Sequence, residues 1–495
     1  MKKKRVFITG VTGNMGRSAM EQILASNKFD VRVLARDSVT NRKKLAKYIG
    51  KKGFDIVWGD LVSYDDILKG VTGADYVLHI GGIVSPMADK FPELTMKVNV
   101  NSAKNIVKAV QAQPNKDEIA VVYIGSVAQT GFRPFPIHWG RTGDPICSSI
   151  LDYYSVSKIV AETIFAESGL KKWVSIRQSG MLYSALLFKG SDPITFHVPV
   201  DGVLEWTTIE DSGKAMLRVC EDGLPVEFWR RFYNLGSGES FRMTNYEFED
   251  RLMRAIGAPK VEKVFELDWF CTKNFHGQWY EDSDVLEEYL HFREGVTSEQ
   301  YFERMKGELP WYFSLTGLAP APIIKYFMKK VAQDSQLGTL SWLRNGDEQR
   351  IKAYFGSREE QEKIGTWKNF TPPAYAKNQK EAQEKGELNR FSHGYDEKKP
   401  IPELTIEDIR EVAEFRGGKL ISENMTEGDI YTALEWECAE GHRFKLSPNA
   451  VIRGGHWCPD CLPTKVVTNE GHPWNFEQLS MENPFFAQLF RKQIK

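Results

Sequence analysis

The sequence predicts an α/β fold: a doubly wound parallel sheet, followed by a helical extension and a small C-terminal unit built around clustered cysteines. Three observations carry this. Over the first 260 residues, short β-branched runs alternate with longer helical patterns, which predicts a parallel sheet with helices on both faces. The first such run ends in a glycine triplet that opens a helix, "FITGVTGNMGRS". Near the C-terminus, "WECAEGHRFKLSPNAVIRGGHWCPDCLP" holds three of the six cysteines.

The expected strands are "RVFITG", "DVRVLAR", "DIVWGD", "DYVLHIGG", "AVVYIGS" and "WVSIRQSG", with helices such as "NMGRSAMEQILAS" and "NVNSAKNIVKAVQAQ" between them. "NLGSGESFRMTNYEFEDRLMRAIG" reads as a loop, a capped helix and a glycine stop. Residues 265–375 are aromatic-rich and helical in pattern. Residues 374–400 are charged and poor in apolar side chains, so they are expected as an exposed linker or a solvated helix. A new unit starts at "PELTIEDIREVAEFRGGK", where Thr405 and Asp408 form an N-cap pair and Gly417 a stop. The expected division is residues 1–310 for the nucleotide-type sheet, with the substrate part in about 180–310. Residues 311–400 form the extension and linker, 401–470 the cysteine unit and 471–495 a tail.

Composition excludes some classes. With 42% hydrophobic and 26% charged residues the chain has enough apolar content for a sizeable core. A net charge of -1 gives no general attraction to nucleic acid or anionic membrane. No apolar run reaches the roughly 18 residues of a membrane span. "MKKKRVFITG" is read as a charged tail before the first strand rather than a signal peptide. Cys147, Cys220 and Cys271 are scattered, which is no disulfide framework and fits a reducing cytoplasm.

Gly10, Gly13 and Gly16 follow the first strand. They permit a tight turn and a close approach of backbone to a pyrophosphate, and the helix start adds N–H groups and a positive dipole end. Thr12, Asn14 and Met15 of the same loop, and Gly81 in "VLHIGG", are further candidates for contacting the cofactor. At the end of the second strand, "RVLARDS" presents Arg36, whose guanidinium suits a 2′-phosphate and so favours NADP; Asp37 keeps NAD in play. Asp60 and Leu61, in "GDL" after the third strand, border the adenine position. His79 sits near the expected cofactor cleft and is read as a structural hydrogen-bond partner.

In "LDYYSVSKIV", Tyr154 and Lys158 stand four apart and share a helix face, whereas Tyr153 points about 100° away. With "TGVTGNMG", "GDL", "VNVNSAKN", "YIGSVAQTG", "YSVSK" and "TTIEDSGKA" together, residues 4–310 resemble the extended short-chain dehydrogenase/reductase family, the NAD-dependent epimerase/dehydratase type, on a Rossmann fold. The resemblance implies that Tyr154 is the general acid/base. Lys158 holds the nicotinamide ribose and, with an oxidised nicotinamide, lowers the phenol pKa. Ser126 bonds the substrate oxygen, and Asn99 organises a proton relay through water.

Departures from the family patterns narrow the reaction. Ser126 is followed by Val127 and Ala128, not by the Asp-Glu pair of sugar-nucleotide dehydratases. Gly180 stands about where an asparagine is common, and "GVLEWTTIED" offers Leu204, Glu205 and Trp206 where a phosphate-binding arginine is common. The expectation is therefore hydride transfer between NADP(H) and a small carbonyl or alcohol substrate, with the apolar segment 180–206 lining its pocket or serving as core. The alternatives are a sugar epimerase or dehydratase with tightly held NAD, and a non-catalytic NADP sensor.

Cys438 and His442, then Cys458 and Cys461, form two short-spaced pairs about 16 residues apart, the pattern of a closed Cys₃His zinc site. His456 is the main rival ligand. Residues 403–465 resemble zinc-ribbon or treble-clef modules, which implies structural zinc and a role in stability or protein contact, with nucleic-acid binding the minority reading. A homodimer is left open.

Overall fold

The computed structural model describes residues 3–187, 192–310, 319–466 and 476–490. The strands β1 (Lys4–Thr9), β2 (Phe29–Ala35), β3 (Phe54–Trp58), β4 (Tyr76–His79), β5 (Ala120–Ser126), β6 (Trp173–Gln178) and β7 (Arg231–Leu235) form one parallel sheet in the order β7-β6-β5-β4-β1-β2-β3. The order reverses between β1 and β4, so the C-terminal ends of those strands open the crevice where such sheets bind ligands.

The helices α1 (Asn14–Ala25), α2 (Val39–Leu45), α3 (Tyr64–Val71), α4 (Met87–Lys90), α5 (Pro92–Gln111), α6 (Tyr153–Ala166) and α7 (Ile209–Val219) connect and flank these strands. One face of the sheet (Val6, Ile8, Val31, Val33) buries against Met20 and Ile23 of α1 and Met216 and Val219 of α7. The other (Phe7, Leu34, Val77, Val121) buries against Ile67 of α3, Ile106 and Val110 of α5 and Phe165 of α6. Six strands lie where the sequence places them. The seventh, "RFYNL", is not among the expected strands, and its last two residues, Asn234 and Leu235, open the stretch read as a loop: it is short and its neighbours Gly236 and Gly238 carry the turn signal. The capped helix after it is Asn245–Ala255, with a Thr244 capping box and Gly257 at φ +69° behind it.

Residues 374–400 are largely exposed and include a short solvated helix, Gln379–Glu384, but the segment is anchored at four buried positions. Ala376, Ala382, Phe391 and His393 are buried. The charges find partners on the sheet domain: Arg141 holds Glu397 at 2.5 and 2.9 Å, and His393 bonds Asp144 at 3.0 Å. Asn389 reaches the Pro136 carbonyl at 3.0 Å. A polar segment is thus held at a few buried positions and stays exposed between them.

The C-terminal part holds a helix (Ile406–Phe415), started by the Thr405/Asp408 capping box and followed by Gly417 at φ +67°. A three-stranded antiparallel sheet follows (Lys419–Leu420, Leu434–Glu437, Arg443–Leu446). This part shares its core with the seven-stranded domain: Tyr153, Val156 and Cys147 pack in one apolar cluster with Trp436, Trp457 and Ile409. Of segment 180–206, Leu182, Leu187, Phe196, Val200 and Val203 are buried core, and residues 188–191 lie outside the described residues. Of the expected tail 471–495, residues 476–490 form two short helices; the rest, like 311–318 of the extension, lies outside the described residues.

Candidate active site

At the end of β1, Thr9 ties two strands together. Its Oγ1 accepts from the Gly81 N–H at 2.9 Å and bonds His79 Nδ1 at 3.0 Å. His79 Nε2 bonds Ser102 at 3.1 Å, and burial holds its pKa down at about 3, so the ring is a neutral structural bridge. Gly10 has φ +76°, and a Cβ there would lie 2.7 Å from Gly81 N. A Cβ on Gly16 would lie 2.3 Å from the Gly10 carbonyl oxygen. Both glycines are required by close backbone approach. Gly13 is the N-cap of α1 and no side chain caps that helix, so the N-terminus at Asn14, Met15 and Gly16 faces the loop of Val11 and Thr12. Backbone donors and a dipole end of this kind fit a pyrophosphate.

The adenosine end is basic. Arg36 is exposed at the end of β2. Asp37 is engaged by Arg42 at 2.6 and 2.7 Å, and the Arg42 guanidinium lies 4.8 Å from the Trp58 ring centroid. Lys44 donates to the Thr12 carbonyl at 2.9 Å. Asp60 accepts from the Val62 N–H at 3.0 Å and so shapes the turn after β3. Leu61 borders the loop: its Cδ1 would be 3.1 Å from a Cβ on Gly81.

Helix α6 brings Tyr154 and Lys158 to the end of β5. Asp152 caps it, accepting from the Ser155 N–H at 2.8 Å. Lys158 Nζ lies 5.9 Å from the Tyr154 ring centroid and donates to the Ile124 carbonyl at 2.8 Å. Ser126 ends β5 and hydrogen-bonds the Tyr154 phenol. Burial lowers Lys158 to about 8, partly offset by Glu162 one turn further along. Burial pushes Tyr154 up to about 12, and the Ser126 hydrogen bond offsets this only in part.

Asn99 is buried in α5. Its Oδ1 accepts from the Ile83 N–H at 2.8 Å, and its Nδ2 donates to the Ile83 carbonyl at 3.0 Å and to Ser157 Oγ at 2.9 Å. It pins the loop after β4 to α6. Sequence reading missed a polar group at the start of α6: Asp152 also bonds His276 Nδ1 at 3.1 Å. Burial and the charge of Asp152 raise Asp89 to about 6. The Asp before an apolar helical run is a capping signal that marks Asp152; nothing local marks His276.

Cys438, His442, Cys458 and Cys461 converge, with all four ligand atoms within 4.8 Å of one another. Tetrahedral zinc, with bonds of about 2.3 Å to sulfur and about 2.0 Å to nitrogen, requires S···S edges of about 3.8 Å and S···N edges of about 3.5 Å. The measured Cys438–Cys461 separation is 3.8 Å, and the three sulfurs lie 3.5, 3.7 and 3.5 Å from His442 Nδ1. The donor set fits. His456 is not among the four. Its Nε2 bonds Glu162 at 2.8 Å and its Nδ1 bonds Thr163 at 3.2 Å, both on α6.

Known proteins agree with the N-terminal part of this picture. The chain is similar over 119 residues to UDP-glucose 4-epimerase of Rickettsia typhi, at 29% identity, covering 21% of this chain and 32% of that relative. It is 26% identical over 168 residues to 2-alkyl-3-oxoalkanoate reductase of Shewanella oneidensis, covering 34% and 40%. The chain thus spans about a third of the length of the first of these curated relatives. Among solved structures, dTDP-glucose 4,6-dehydratase from Streptomyces venezuelae with NAD and TYD bound aligns with a TM-score of 0.50 and 20% identity, over 63% of this chain and 98% of that one. The NAD complex of dTDP-glucose 4,6-dehydratase from Bacillus anthracis aligns with a TM-score of 0.50 and 15% identity, over 62% and 96%. At such identities these structures show the fold alone. Residues 6–176, which hold the glycine loop, Ser126, Tyr154 and Lys158, match the NAD dependent epimerase/dehydratase family.

Proposed function

We propose that the protein is an NADP(H)-dependent oxidoreductase acting on a carbonyl or alcohol. The observation that carries this reading is the convergence of Tyr154, Lys158 and Ser126 beside a glycine-loop nucleotide site. The dinucleotide, when bound, supplies or accepts the hydride. Ser126 orients the substrate oxygen. In the reductive direction Tyr154 gives its phenolic proton to that oxygen; in the oxidative direction it takes the proton back. Lys158, with a pKa of about 8, is mostly charged at pH 7 and favours phenolate. Arg36 supports NADP over NAD, and Asp37 is taken up by Arg42 rather than left for a ribose hydroxyl. Zinc in the Cys₃His site has a structural role, because four protein ligands leave no place for water. The outer face of α6 is covered by the C-terminal part, so a second copy of the chain would sit elsewhere.

The test is NADPH oxidation against a panel of ketones and aldehydes with wild type and Tyr154→Phe. The variant is expected to lose at least about a hundredfold in turnover with unchanged nucleotide affinity. Equal turnover would remove Tyr154 from the reaction.

A second reading has its own support. A partial relative is a UDP-glucose 4-epimerase, and the fold neighbours are NAD complexes of dehydratases. On that reading NAD is held tightly and recycled on the enzyme. The Val127-Ala128 pair after Ser126 speaks against the dehydratase version.

A further inference from the structure

The part that carries the Cys₃His cluster is joined to the helix that carries Tyr154 and Lys158. The joint is partly apolar. Tyr153 and Val156 of α6 share a cluster with Trp436, Trp457, Cys438 and Cys458. A small cavity at the joint is lined by Ile159 and Thr163 on the helix side and by Cys438, Cys458 and Cys461 on the other. The joint is also ionic. Glu162 of α6 and Arg177 of β6 pair at 2.7 Å with neither side chain exposed. From the C-terminal part, His456 bonds Glu162 at 2.8 Å, and the Gly454 carbonyl accepts from Arg177 at 2.6 Å. His456 stands two residues before the ligand Cys458, and Glu162 stands one helical turn after Lys158.

We propose that metal bound by Cys438, His442, Cys458 and Cys461 braces α6, so that the Cys₃His site sets the position of the Tyr154–Lys158 face although none of its ligands touches the nucleotide. Glu162 and His456 are the positioning residues. This rests on the readings above that the site holds zinc and that Tyr154 and Lys158 border the nucleotide. A unit of this size closes because the metal holds its ligands together. When it opens, Trp457, His456 and Gly454 leave the joint. Glu162 and Arg177 then lose two of their partners, and a buried polar network that is only partly satisfied rearranges or takes up water. Lys158 lies on the same rigid helix, four residues away.

The experiment uses the full chain as purified. Zinc is quantified, removed with a chelator and restored. NADPH and NADH affinities are read by fluorescence, and hydrogen exchange is read in peptides covering 153–166 and 14–25. The expected result is exchange at least tenfold faster in 153–166 without metal, unchanged exchange in 14–25, weaker nucleotide binding, and recovery of all three on adding zinc. Unchanged exchange in 153–166 after stoichiometric metal loss would overturn the proposal. An equal rise in 14–25 would overturn it too, because that is general unfolding. Glu162→Gln keeps the shape of the joint and the metal ligands. It is expected to retain zinc and still show faster exchange in 153–166; wild-type exchange there would remove Glu162 from the brace. A chain that binds neither nucleotide would defeat the oxidoreductase reading, and the exchange results would still decide the brace.

Discussion

The two sides of the proposed nucleotide site are built in different ways. The pyrophosphate side is made by backbone. Gly10, Gly13 and Gly16 lie within seven residues, and Thr9 and His79 close the loop onto the end of β4. The nicotinamide side depends on side chains from far along the chain. Helix α6 is held from inside by β5 and β6 and from outside by Trp457, His456 and Gly454, up to 294 residues away in sequence. A backbone cradle needs only glycines at the right spacing. A helix buried on two faces needs a second layer, and here the C-terminal part supplies it.

The comparison can be broken at either side. Gly16→Val places atoms where a Cβ already meets the Gly10 carbonyl oxygen at 2.3 Å. Overpacking costs about 1–3 kcal/mol, and when it falls on the loop this is about a five- to 150-fold loss in nucleotide affinity. Calorimetric titration should show that loss with the zinc content unchanged. Full nucleotide affinity in this variant would mean that the loop is not the cradle.

A smaller effect sharpens the same side. Folded His79 stays neutral down to about pH 3, whereas an unfolded imidazole takes up a proton near pH 6.5. The unfolded chain therefore binds the extra proton. This residue's contribution to stability is fully present above about pH 6.5 and is lost as pH falls toward 3, by at most about 1.4 kcal/mol per pH unit. Urea unfolding of wild type and His79→Gln between pH 7 and 5 isolates it. The wild type should lose more stability on acidification than the variant, and parallel curves would show that the ring is not held neutral.

Much of the pyrophosphate side was legible in the sequence because its signals are local. The glycine spacing, the strand before it and the helix after it sit within about 20 residues. The four-residue spacing put Tyr154 and Lys158 on one helix face and the resemblance of the surrounding motifs singled them out; the two Cys/His pairs were legible from their short spacings. The joint between them was not, because no local pattern pairs Glu162 with His456. One signal was present: "YYSVSKIVAETIF" is apolar or small almost all round, which marks a helix covered on more than one side. The anchoring of 374–400 at a few buried positions was hidden for a related reason. Its charges read as solvated until Arg141 and Asp144 are seen to meet them. The raised pKa of Tyr154 was equally hidden, since desolvation depends on everything packed around the phenol.

The most direct test of the central claim is to denature freshly purified protein and identify any released nucleotide, then titrate the emptied wild type and Arg36→Ala with NADPH and NADH. The account predicts no tightly retained NAD⁺ and a preference for NADPH. It also predicts that Arg36→Ala weakens NADPH by about tenfold or more, as expected for loss of a hydrogen bond between charged groups worth about 1.5–3 kcal/mol, and barely changes NADH. Stoichiometric NAD⁺ released from the protein, with no NADPH preference in the emptied chain, would contradict it and favour an epimerase that recycles its cofactor in place.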